Sequence, residues 1–303
     1  MNILKKLYNT RLLAHFLITV EILVEHAQVM SFLKSAPDPT DNLWNSDAVD
    51  AFDGLKKIAL RFDDDAFMGI YITSIAIVGA TFILYLILAT KVHKWNKGQD
   101  TWGTLAIWFV EHIIYGIGFV PIISQYVAPQ YCNLYSELKS YTSLDCWKTD
   151  QMAMLEFGFI FTGIALFMAG VVAPVLKSER NGIEKRWGNE SYFPGMYKLY
   201  VIGVAFLLAP VGVPYAGIIV TIFIILYLFF FECYKSLHVA SMRMSVLWGS
   251  LWVFICAESL KESTSRGSDM LAGWIPFLVF GYIIMPLKAL IVKRELKVLP
   301  IEK

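Results

Sequence analysis

Charge is the first scarcity. Only 17% of the 303 residues are Asp, Glu, Lys or Arg, against 57% hydrophobic and 15% aromatic. That is too little charge for the surface of a soluble domain of this length. The net charge of +1 provides no field for a nucleic acid, so none is expected as a partner. Cysteines number four, and no CxxC or HxxxH spacing brings zinc ligands together. GxSxG, HExxH, Walker and dinucleotide fingerprints are all missing. The chain is therefore expected not to be an enzyme, and no catalytic residue, metal ligand or cofactor is assigned. Lipidation signals are missing too: Asn2 excludes the myristoylation pattern, and the tail has no prenylation box. No Gly-, Ser- or Pro-rich linker divides the chain, so residues 1–303 are read as a single transmembrane domain.

What the chain has instead is long apolar runs, and a run of roughly 18 or more such residues is a membrane span. The expected spans are 12–32, 67–90, 103–128, 151–176, 196–210, 213–232, 244–261 and 270–291. The fold class expected is an all-α polytopic membrane bundle of about eight transmembrane helices. The first run follows Lys5, Lys6 and Arg11 like a signal peptide, but it contains Glu21, Glu25 and His26 and no small-residue cleavage site follows. It is read as a retained signal anchor. The fifth and sixth runs are separated only by Ala209-Pro210-Val211-Gly212-Val213-Pro214, a turn in which proline removes backbone donors and glycine accepts unusual dihedrals.

Basic residues concentrate in cytosolic loops. With the N-terminus inside, the inner segments hold most of the 26 Lys and Arg, among them Lys91, Lys94, Lys97, Arg180, Lys185, Arg186, Lys198, Lys235, Arg243, Lys293 and Arg294. Both termini are then expected in the cytosol, with 33–66 and 129–150 as exoplasmic loops and 177–195 as a cytosolic loop. Within 33–66, Val49, Phe52, Leu55, Ile58, Ala59 and Phe62 recur at helical spacing. This predicts an amphipathic helix lying on the outer membrane surface or packed on the bundle. The sequon Asn189-Glu190-Ser191 falls in the loop placed in the cytosol and is expected to be unused.

Cys132 and Cys146 share the 129–150 loop. In an oxidising compartment they are expected to form a disulfide, the alternative being two unpaired thiols. Ionisable residues inside spans usually face the bundle interior. Glu21, Glu25, Glu111, Glu156 and Glu258 are of this kind. Counting along the helices puts Glu25, Glu156 and Glu258 within about two turns of the outer surface, Glu21 near the middle and Glu111 nearer the cytosol. They form a candidate ion pathway opening outside, or else neutral acids hydrogen-bonded between helices. His26 and His112 each follow a glutamate. Haem ligation by such a pair needs facing histidines at one depth, and their depths differ, which favours polar packing. The function expected from these features is a sensor module or a subunit of a larger membrane assembly. The alternative is a cation channel or proton-coupled transporter using the buried glutamates. Partners expected are the lipid bilayer and other membrane subunits or a homo-oligomer.

One ordered set of short motifs adds a resemblance. Glu25-His26-Ala27-Gln28 ends the first span, and Leu43-Trp44-Asn45 and an amphipathic segment to Arg61-Phe62 follow. Then come Val120-Pro121-Ile122, Cys132, Leu144-Asp145-Cys146-Trp147 and Pro174. This order resembles the membrane region of the tiny macrocysts family, a protist group. The resemblance implies a membrane module, sensor-like or channel-like, and supplies no catalytic residues. Members usually continue into long cytosolic parts with PAS-type sensor domains, whereas this sequence stops at Lys303.

Overall fold

The structure is a computed structural model that describes residues 11–30, 67–89, 109–127, 129, 149–172, 196–204, 214–231, 234, 236–259 and 266–298. The amphipathic segment 48–62, the sequon at Asn189, and Cys132 and Cys146 with their expected disulfide lie outside the described residues.

Among the described residues the chain is all-helical, a membrane bundle of the class expected. The helices are α1 (Arg11–Met30), α2 (Phe67–Ala89), α3 (Phe119–Val127), α4 (Thr149–Phe167), α5 (196–204), α6 (Pro214–Phe230), α7 (Leu237–Ser259) and α8 (Arg266–Val298). Among the described residues, four segments are long and apolar enough to cross a membrane: Phe67–Ile87, Thr149–Gly170, Leu237–Ser259 and Ala272–Val292. Helix α6 is apolar but shorter, and α1 carries two acids.

Two expected spans are not wound uniformly. Val110–Ile117 is π-helical and runs into α3, and Met168–Val172 is a π-helical end to α4. Proline explains the first. Pro121 has no N–H for the Ile117 carbonyl four residues back, and its ring presses on that carbonyl. The preceding turn opens, and the Gly118 N–H bonds to Ile113 O, five residues back, at 2.7 Å. The two π-wound stretches pack against each other.

Side-chain bonds set the relative directions. Thr19 meets His238 at 3.3 Å and His26 meets Ser250 at 3.2 Å, so α1 and α7 run parallel. Helix α8 returns antiparallel along α7: Trp252 Nε1 donates to Met270 O, Ser245 Oγ to Leu278 O, and His238 pairs with Tyr282. Helices α2 and α4 are parallel, with the Tyr71 hydroxyl donating to Met154 O and Gly79 beside Phe161.

Burial is inverted relative to a soluble protein. The inward face of α2 is Tyr71, Ser74, Val78, Thr81 and Tyr85, and its exposed face holds Ile72, Ile83, Leu86 and Ile87. The hydroxyls of Tyr71, Ser74 and Thr81 bond inside the bundle, as in the 2.6 Å contact of Thr81 with Tyr115. Lipid chains solvate the aliphatic face and would leave the hydroxyls unsatisfied.

Candidate functional site

Glu21 and Glu25 are one turn apart on α1 and therefore share a face. Both are buried, and Glu25 is completely so. Each carboxylate has a partner from another helix. Glu25 accepts from two cations: Lys198 Nζ of α5 on Oε1, and Arg243 Nη1 of α7 on Oε2 at 2.6 Å. Glu21 Oε2 lies 3.0 Å from Nδ1 of His112, in the π-wound stretch. Gly116 in the same stretch makes that approach possible. A Cβ there would stand 2.8 Å from the Glu21 carboxyl carbon.

The cations are held on aromatic faces. Arg243 lies over the Tyr197 ring at 4.2 Å, and Lys198 over Phe119 at 4.7 Å. Such contacts strengthen when water is excluded. Glu21 is also near enough for its charge to act on Arg243. The α1 acids are thus gripped from the π-wound stretch, α3, α5 and α7. Two acidic side chains face two basic ones, Lys198 and Arg243. Two unpaired carboxylates in a low-dielectric interior would be strongly unfavourable, and neighbouring helices supply the compensation.

One turn further on, His26 Nδ1 meets Ser250 Oγ, and its ring tilts against Trp274 with centroids 5.6 Å apart. His26 and His112 therefore serve separate contacts, and polar packing describes both.

The expected ion-pathway residues are not all brought together. Glu21 and Glu25 are enclosed and paired. Glu156 is exposed on α4 beside Met152, Phe157 and Ile160, on the outer face of the bundle, and does not join Glu25. Glu258 is half-buried near the end of α7. Glu111 lies in the π-wound stretch, and its side chain is outside the described residues. Glu25 contacts Lys198 and Arg243, two residues that charge counting had placed in inner segments. Helix α7 begins at Leu237, so Arg243 is seven residues into it.

Lys198 and Arg243 are the site residues that sequence reasoning missed. Both had been counted as loop cations. The signal was present: the run from Leu237 to Ser259 is apolar enough to span with Arg243 inside it. An ionisable residue within a span calls for a named partner. Among the described residues no group of three His, Cys, Asp or Glu is placed to hold a metal. No protein-family model, curated protein or solved structure matches the chain.

Proposed function

We propose that this membrane protein is a non-enzymatic module, a sensor or a subunit of a larger membrane assembly, in which α1 is the element held or released. The observation that carries this reading is the pairing of Glu25. A carboxylate serving a cation route must be free to exchange a cation, whereas Glu25 already accepts from Lys198 and Arg243. A second acid of the expected route, Glu156, faces outward. The resemblance to the tiny macrocysts family implies the same broad class. A two-state element biased by local charge is how a membrane module passes on a signal, and α1 meets that description because its hold on α5 and α7 is a salt-bridge cluster that can be made or broken.

Liposomes loaded with cation- and proton-sensitive dyes test the reading against a channel or proton-coupled transporter. The expected outcome is no flux above that of protein-free vesicles under an imposed gradient. Flux that disappears in Glu25→Gln would replace the module reading with the transporter one.

A further inference from the structure

We propose that the end of α8 is a docking surface for the headgroups of anionic phospholipids, formed by Lys293, Arg294 and Lys297. The inference concerns a part of the molecule away from the α1 cluster. It holds whether or not the protein is a sensor, and its test measures lipid binding, so the two readings fail or succeed separately.

Length gives the depth. The apolar stretch Ala272–Val292 has 21 residues. At about 1.5 Å per residue it is roughly 30 Å long, the thickness of a bilayer's hydrocarbon core. Helix α8 does not stop there. It continues through Lys293-Arg294-Glu295-Leu296-Lys297-Val298, a further ~9 Å. The headgroup layer is roughly 5–8 Å deep on each side of the core. The end of α8 therefore crosses that layer as a helix.

Helical spacing gives the direction. Lys293, Arg294 and Lys297 stand three, four and seven residues after Leu290, positions that share one helix face. Leu290 is exposed, and so is Ile283, seven residues earlier on the same face. This face meets lipid chains along the span, so its continuation meets the headgroups of the same lipids. The one acid of the segment lies elsewhere. Glu295 is seven residues after Lys288, and Lys288 turns to α6. Its Nζ donates to Phe229 O and lies over the Phe229 ring at 5.2 Å. Cations thus continue the lipid-facing side, and the acid continues the side toward α6. Helix α1 adds positive charge at the same end. It runs parallel to α7 and so antiparallel to α8, and it opens with Arg11 where α8 closes. Cations at headgroup depth favour lipids of net negative charge over zwitterionic ones.

The test uses the full chain reconstituted in phosphatidylcholine vesicles with a trace of spin-labelled phosphatidylglycerol or spin-labelled phosphatidylcholine. Electron paramagnetic resonance reads the fraction of each label immobilised at the protein surface. Phosphatidylglycerol is expected to be preferred about threefold or more at low salt. The preference should fall toward one in sodium chloride at about 1 M, where charges are screened beyond ~3 Å. The triple variant Lys293→Gln, Arg294→Gln, Lys297→Gln should lose more than half of the preference. The triple variant Lys293→Arg, Arg294→Lys, Lys297→Arg keeps the charges and should keep it. Equal immobilisation of the two lipids by the unmodified chain overturns the proposal, whatever the variants do, and leaves this face to an acidic protein partner. A preference that salt does not reduce, or that largely survives in the glutamine variant, overturns it as well.

Discussion

Helices α7 and α8 lie against each other along most of their length and are built very differently. Over the membrane-spanning window, 78% of α7 is buried inside the protein and only 11% of α8. A soluble-protein intuition would make the buried helix the more apolar one, and the reverse holds. Helix α7 carries Ser241, Arg243, Ser245 and Ser250, all buried, while α8 shows Ile275, Val279, Phe280, Ile283, Leu287 and Leu290 outward. In a bilayer the outside is as apolar as leucine, so association is driven by close packing and by polar groups that lipid cannot satisfy. The lesson is that polarity, not hydrophobicity, marks the interior of this protein. The residues that make α7 a poorer membrane span are those that place it at the centre.

Three substitutions break or sharpen this contrast, each read by denaturation in detergent. The largest effect is expected at the centre of α7. Arg243→Ala leaves Glu25 buried with Lys198 alone and should destabilise the protein by about 3–5 kcal/mol. A loss below about 1 kcal/mol would mean that the pair is not held in a dry interior. An intermediate effect belongs to the seam between the helices. A Cβ on Gly281 of α8 would stand 2.8 Å from Met244 O and from the Ser245 Cα. Backbone cannot swing aside as a side chain can, so Gly281→Ala should force the helices apart, at about 1–3 kcal/mol. The smallest effect is on the outer face of α8. Leu290 is 60% exposed, and Leu290→Ala should change stability by less than about 0.5 kcal/mol, whereas a large loss would reveal a protein neighbour on that face.

The apolar segments were legible in the sequence because long uncharged runs have no other economical placement. Each expected run overlaps a described helix, and four of the described segments are long and apolar enough to cross a membrane. The enclosure of α1 was legible as well, since Glu21, Glu25 and His26 within one span require neighbours. The identity of those neighbours was not. Arg243 was assigned to a loop because a hydropathy window drawn to avoid charge begins one residue after it. Lys198 lies inside the expected span 196–210 but was counted with the basic loop before it. Charge counting treats Lys and Arg as markers of sidedness, and it cannot distinguish a loop cation from one whose counter-ion sits on a helix more than a hundred residues away. The grouping of Glu25 with Glu156 failed for a related reason. Equal depth says nothing about direction around the helix axis, and Glu156 points outward where Glu25 points in. The π winding before Gly118 was readable only as Pro121, whose effect reaches back four residues to the carbonyl it cannot serve.

That winding has a geometric consequence for the cluster. Residues in an α-helix advance by about 100° each, and closing a turn five residues back instead of four inserts one extra step of rotation. Val110–Ile117 is thus a phase shifter between what precedes it and α3. It aims His112 and Gly116 at Glu21 while Phe119 turns under Lys198. Were the stretch to relax into ordinary α winding, the two halves of this span would counter-rotate, and the histidine and the phenylalanine could not both keep their charged neighbours. The grip on α1 is therefore set by the rotational register of another helix, and a single misplaced residue of winding suffices to undo it.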